Sequence, residues 1–283
     1  MRQATPRQQK LAQAYDASIW PLVPERAAQL ILDAVPRRPA TVAFEAGCAS
    51  GKLTFALAER LDDASRILAI DSSPALIDLA VAAKVHHPAN GKVSFHVADP
   101  VPPLPVEDSS YDLAVSNLVL AETATPKPAL ADIGRCLKPG GRALLTLTLG
   151  GSWSEFLDLY GDVLNEQGKA EGLAALAAYR AAMPNPADAV AMMEATGFTD
   201  VTIEVKRWEL LFKSAREFFF APVIELGPLP MWKQIAGGRG DEMQDVFFFV
   251  KEAIDSYFSG AVFPVTMMIG CVAGTKPATP QSK

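Results

Sequence analysis

The chain has 283 residues, 49% of them hydrophobic, with 26 Lys and Arg against 32 Asp and Glu and a net charge of −6. That length supports one large core with an attached region, and an acidic balance without a basic run argues against a nucleic-acid partner. The three cysteines, Cys48, Cys136 and Cys271, are scattered and odd in number, which argues against a disulfide framework or a zinc set and fits a reducing cytoplasm. No stretch approaches the roughly 18 apolar residues of a membrane span, and residues 1–10 lack an apolar signal core, so a cytoplasmic chain without a membrane partner is expected.

Residues 1–37 read as an N-terminal arm that becomes helical, with helical spacing from Glu25 to Ala34. Thr41–Ala46 reads as a buried strand, and Lys52–Leu61 as a helix. A second strand, Arg66–Ile70, ends at Asp71, and Pro74 marks the first turn of the helix after it. Val93–Val97 is a third strand ending at Ala98 and Asp99, Pro100–Pro105 a loop, Tyr111–Ser116 a fourth strand, Ala129–Leu137 a helix and Arg142–Leu149 a fifth strand. Helices are predicted over Trp153–Gln167, Leu173–Met183 and Pro186–Thr196, then a strand over Val201–Leu211. Pro228–Gly240 reads as a loop, Asp241–Phe258 as a long helix, Phe263–Val272 as a last strand, and the tail from Gly274 as frayed.

Strand–helix alternation of this kind predicts a doubly wound, parallel α/β sheet whose ligands gather at the carboxyl ends of the strands. Glu45, Asp71, Asp99 and Asn117 all fall at or just past strand ends. The most informative segment is Val42 to Gly51, a short strand leading through a glycine turn into a helix. Absent side chains let a ligand lie against such a turn, and free N–H groups at the helix start favour an anion or carboxylate.

Several segments then match a known family in order: Glu45-Ala46-Gly47-Cys48-Ala49-Ser50-Gly51, Ile70-Asp71-Ser72-Ser73, Ala98-Asp99, Tyr111 to Asn117, Leu137-Lys138-Pro139-Gly140-Gly141, and Glu194 to Val201 with Gly197-Phe198. In this order the chain resembles the class I S-adenosylmethionine-dependent methyltransferases of the ubiquinone/biotin-biosynthesis type (methyltransferase type 11). The resemblance implies a Rossmann-like, mostly parallel seven-stranded sheet with an added helical lid. It implies a core at 38–207 and 261–275, an inserted lid or acceptor region at 208–260, and a disordered tail at 276–283. A dinucleotide dehydrogenase would want glycine at 49 and 52, where this chain has Ala49 and Lys52.

The resemblance also assigns roles to residues. Gly47, Ala49 and Gly51 would let the backbone approach the methionine part of the cofactor, with Glu45 ordering the turn and accepting from the ammonium. Asp71 and Ser72 would sit at the ribose, Ala98 and Asp99 at the adenine, with Leu76 or Ile77 flanking the ring. Asn117 and Leu118 would lie near the sulfonium and the acceptor. Ala49 departs from the family, which has glycine there, and its extra methyl crowds a rigid site.

Methyl transfer from a sulfonium needs mainly orientation and dryness, and a base only when the acceptor must lose a proton. Bases are scarce: no histidine follows His96. The candidates for a catalytic role are Asn117, Glu122 and Tyr15, the last resembling an N-terminal tyrosine segment that closes over the cofactor in relatives, and Asp16, Tyr160 and Tyr179 stand beside them as candidate bases. No metal is expected. The acceptor is expected to be a small molecule. Ser116-Asn117-Leu118 and Gly151 to Glu155 resemble malonyl-carrier-protein O-methyltransferases, which adds a carrier protein as partner and makes Arg180, Arg207 and Arg216 candidates for a carboxylate. A second reading is a cofactor-binding, non-catalytic interaction or assembly protein, motivated by Ala49, by the scarcity of bases and by the Phe218–Phe220 and Phe247–Phe249 triplets.

Overall fold

The structure is a computed structural model that describes residues 4–120, 126–237 and 240–278. The N-terminal arm forms α1 (Pro6–Ala14), started by a reciprocal Thr5–Gln8 capping box. A π-helical turn, Tyr15–Ile19, follows, and then α2 (Pro24–Ala34). The alternating part comprises β1 (Val42–Ala46), α3 (Lys52–Arg60), β2 (Arg66–Asp71), α4 (Pro74–Lys84), β3 (Val93–Val97), β4 (Tyr111–Asn117), α5 (Pro126–Cys136) and β5 (Leu137–Thr148). After it come α6 (Ser154–Glu166), α7 (Ala170–Ala182), α8 (Pro186–Glu194), β6 (Thr199–Phe212), α9 (Ala215–Phe220), α10 (Pro222–Glu225), α11 (Leu229–Ile235), α12 (Asp241–Tyr257) and β7 (Phe263–Thr275).

The strands form one seven-stranded sheet in the order β3-β2-β1-β4-β5-β7-β6. β1 pairs in parallel with β2 and β4, β2 with β3, and β4 with β5. Bonds between Gly141 and Lys276, and between Leu149 and Met268, run β7 antiparallel to β5. Chain order reverses between β1 and β4, the switch point at which such sheets open a crevice for ligands. β1 is apolar because it is covered on both faces: Ala43, Phe44 and Ala46 are fully buried. α2 buries Ala27, Ala28, Leu30 and Ile31, one helical stripe.

Contact density divides the chain into two compact units, one of Met1–Leu147, Pro186–Val205 and Ile269–Lys283, the other of Thr148–Asn185 and Lys206–Met268. The second unit takes in 148–185, whereas the sequence alone puts the added region at 208–260. Its core is aromatic. Phe156 stacks on Trp232 at 4.1 Å and meets Phe218 at 5.1 Å, and the Tyr160 hydroxyl donates to the Trp232 carbonyl at 2.7 Å. The two Phe triplets divide by helical face: Phe218 is fully buried, whereas Phe220, Phe248 and Phe249 are exposed. No helix among the described residues is long and apolar enough to cross a membrane.

Three local expectations are corrected. Residues 229–235, read as loop, form α11. Pro230 lies in its first turn, where a missing N–H costs nothing, and Leu229, Trp232 and Ile235 bury at helical spacing. Lys138–Gly141, read as a turn before the fifth strand, lies within β5. It makes an irregularity in which β5 advances five residues, from Leu137 to Arg142, while β4 advances two, from Tyr111 to Leu113. The chain past Gly274 stays paired: β7 runs to Thr275, Lys276 exchanges backbone bonds with Gly140 and Gly141, and its Nζ donates to the Leu137 carbonyl at 2.7 Å.

Candidate functional site

The glycine turn leaves the end of β1 and hangs on β2. The N–H groups of Gly47 and Cys48 both donate to the Ile70 carbonyl at 2.9 Å, and Gly51 closes the turn onto the Cys48 carbonyl at 2.9 Å. Gly47, Ala49 and Gly51 all take left-handed backbone, with φ of 80°, 47° and 81°. Glycine adopts this freely and alanine at a cost. A Cβ on Gly47 would lie 2.5 Å from Val119 Cγ2, and one on Gly51 2.8 Å from Phe95 Cζ, so neighbouring side chains use the space glycine leaves.

Asp71, half-buried at the end of β2, ties this turn to the next. One carboxylate oxygen accepts from the Ala49 N–H and the other from the Ser73 N–H, each at 2.9 Å. Burial raises its pKa, and these two bonds oppose the rise. The Asp71 carbonyl accepts from the Ala98 N–H at 3.0 Å, which brings Ala98 alongside. Asp99 is exposed, and its carboxylate accepts from the Val101 N–H at 3.0 Å. Ser72 is exposed. Ile77 is buried with Cys48 and Ala69, while Leu76 is half-buried.

Glu45 lies inside the fold, 1% exposed, and accepts from the Thr54 hydroxyl of α3 at 2.6 Å. Burial pushes its pKa up to about 7 against the lowering effect of that bond, and the charge of Asp71 adds to the rise. Cys48, in the turn, is likewise pushed up by burial.

The arm lies on the turn. Asp16 accepts from the Ser50 hydroxyl at 2.6 Å and pairs with Lys52 Nζ at 3.0 Å, and the same ammonium donates to the Asp16 carbonyl at 2.8 Å. Tyr15 is held protonated, first by burial and then by the Asp71, Glu45 and Asp16 carboxylates. These contacts come from a π-helical turn, a distortion found frequently at functional sites. Sequence reading gave no role to Lys52 and Thr54, quoted Ser50 only within the matched turn, and offered Asp16 only as a base. The adjacency of Asp16 to Tyr15 was visible, but what it would touch was not.

At the other side of the switch point, Asn117 is buried and engaged at both ends of its amide. Its Nδ2 donates to the Pro24 carbonyl at 3.0 Å and its Oδ1 accepts from the Thr146 hydroxyl at 2.7 Å. Leu118, at φ 58°, donates its N–H to the same Thr146 oxygen at 3.0 Å. Glu122 lies outside the described residues. Asp112 and Lys138, from two of the matched segments, sit at the opposite end of the strands. There the Lys138 ammonium bonds the Asp112 carboxylate at 2.9 Å, and Asp112 accepts from the Val42 N–H at 2.9 Å. They join β1, β4 and β5 far from the turn.

Residues 44–145 match the family model described as a methyltransferase domain. Among curated proteins, the malonyl-[acyl-carrier protein] O-methyltransferase of Hahella chejuensis is 38% identical over 110 residues, covering 38% of this chain and 37% of that protein. Its counterpart from Herminiimonas arsenicoxydans is 28% identical over 188 residues, 66% of this chain and 62% of that protein. The chain thus spans less than two thirds of the curated relatives it matches. Among solved structures, the YcgJ protein of Bacillus subtilis superposes with a TM-score of 0.56 at 14% identity, covering 90% of this chain and all of that one, a likeness of fold. Residues 44–145 are thus similar to a methyltransferase domain, and the glycine turn, the strand-end carboxylates and the sheet order agree with that likeness.

Proposed function

We propose that the chain binds S-adenosylmethionine at the glycine turn and transfers its methyl group to an oxygen of a small acceptor. The observation that carries this reading is the Asp71 carboxylate. Each of its oxygens accepts one backbone N–H and keeps a lone pair, so the group can still take two ribose hydroxyls while holding the turn in shape. The bare backbone of Gly47, Ala49 and Gly51 would border the methionine part, Ser72 and Ala98 the ribose and adenine, with Asp99 turning inward to the adenine amino group. Asn117 and Leu118 would border the reacting end.

When bound, the cofactor supplies a methyl group already activated on a sulfonium. What the chain adds is orientation and exclusion of water. Glu45 supports the turn through Thr54 and offers buried negative charge to an ammonium. Tyr15 keeps its proton and serves as a hydroxyl donor over the turn rather than as a base. Asn117, with its amide already engaged, orients backbone and moves no proton.

A carboxylate acceptor fits a site with no evident base among the described residues, because it is already the nucleophile. The named O-methyltransferase relatives favour an acceptor carried on a protein. Of the three candidate arginines, Arg180 is paired with Asp158 at 2.7 Å and Arg207 donates to Thr266 at 3.3 Å. Arg216, exposed on α9, is the candidate we favour for a carboxylate. The left-handed Ala49 motivates a second reading, in which the cofactor binds without turnover.

Calorimetric titration with S-adenosylmethionine and S-adenosylhomocysteine tests the first step: absence of binding of either rejects the proposal. Transfer of a labelled methyl group into fractions of a cell extract, with a malonyl-carrier protein as one defined acceptor, tests the second. Binding without any transfer selects the non-catalytic reading.

A further inference from the structure

Thr146 is fully buried on β5, and its hydroxyl serves the last residue of β4 and the residue after it. It donates to Asn117 Oδ1 at 2.7 Å and accepts from the Leu118 N–H at 3.0 Å. Leu118 is left-handed, a conformation that a leucine holds only where its surroundings over-determine it. The next residue, Val119, packs against the bare face of Gly47, 2.5 Å from where a Cβ would stand. One hydroxyl therefore acts on the first glycine of the turn through two intervening residues.

We propose that Thr146 is a positioning residue for the glycine-turn site, holding Leu118 left-handed so that Val119 seats against Gly47. The inference rests on reading that turn as the cofactor site. Without the hydroxyl, the Leu118 N–H loses its acceptor, the left-handed backbone loses its restraint, and Val119 is free to move off the turn.

The test compares Thr146→Val, which keeps the shape and removes the hydroxyl, with Thr146→Ser, which keeps the hydroxyl. S-adenosylhomocysteine binding is expected to weaken about tenfold in the valine variant and to stay near wild type in the serine variant. In a Leu118→Gly background, where the leucine side chain is missing from both proteins compared, adding Thr146→Val is expected to cost little further affinity, since glycine holds this conformation without a restraint. A merely structural loss would persist in that background. Amide exchange at Leu118, read without ligand, is expected to quicken in the valine variant alone. Wild-type binding by Thr146→Val with a still protected Leu118 amide overturns the proposal, and so does an undiminished loss on adding Thr146→Val to Leu118→Gly. A wild-type protein that binds no S-adenosylhomocysteine instead rejects the cofactor reading, and the exchange measurement then decides the role of Thr146 alone.

Discussion

The Asp71 carboxylate accepts the backbone N–H of Ala49 at 2.9 Å, so the acidic end of β2 restrains the alanine that sits between the two glycines of the turn. Asp71→Ala removes that restraint, the bond to Ser73 and the proposed ribose contacts together. Affinity for S-adenosylhomocysteine is expected to fall about tenfold to a hundredfold, with a lower midpoint of thermal unfolding. Calorimetry that finds unchanged affinity would remove Asp71 from the site.

Ala49 lies at φ 47°, a left-handed position that costs a residue with a Cβ roughly 1 kcal/mol. Ala49→Gly is expected to raise stability by about 0.5–1 kcal/mol without loss of binding, and Ala49→Val to lower stability because a β-branched residue is a steric outlier there. Urea unfolding of the two variants checks the sign of each change, and a glycine variant less stable than wild type refutes the strain.

Gly47 has no room for a side chain: its backbone φ is 80°, and Val119 Cγ2 lies 2.5 Å from the point an added Cβ would occupy. Gly47→Ala is expected to cost about 2–4 kcal/mol from overpacking and left-handed strain combined. Adding Val119→Ala should recover the overpacking part only, leaving the backbone part. Denaturant unfolding of the single and double variants separates the two.

Glu45 titrates near 7 in the folded protein, raised from 4.5. Between those values the folded state holds a proton that the unfolded chain has released. The stabilisation is therefore complete below the unfolded pKa and is lost as pH rises through the folded one. This group is expected to contribute a fall on the order of 3 kcal/mol across that window. Glu45→Gln should remove that slope, as read by unfolding at about pH 5 and about pH 8. Equal slopes in both proteins would show that Glu45 is already ionised when folded.

Asp16→Ala removes the side-chain links from the arm to Ser50 and Lys52. The pair with Lys52 is partly exposed, so global stability is expected to change by less than about 1 kcal/mol. Residues 4–23 should nevertheless become more sensitive to protease and quicker in amide exchange. An arm equally protected in the variant would place its anchor elsewhere, in the packing of α1 on α4.

The sheet was legible because its strands are short apolar runs bounded by glycine, proline and acidic residues, and β1 to β4 fall within a residue of where the sequence puts them. Asp71 and the glycine turn were legible for the same reason: strand ends in this architecture face one edge. Three features were not. The helix α11 was hidden because Pro228 and Pro230 punctuate a stretch whose apolar spacing is nonetheless helical. The network of Thr146, Asn117 and Pro24 joins residues far apart in the chain, and hydroxyl pairing at that range leaves no periodic trace. The engagement of Asp112 and Lys138 with each other could not be separated, by motif alone, from engagement with a ligand.

The position of β7 has a consequence for synthesis. β7, made after the other six strands, inserts between β5 and β6, so β6 has no partner in the sheet until residues 263–275 have left the ribosome. Until then, β5 presents an open edge and β6 has nowhere to dock, a state prone to pairing with other chains. The parallel half of the sheet can form early, while closure of the far edge waits until β7 has been made. Lys276, which ties β7 back to the start of β5, takes part in that closure.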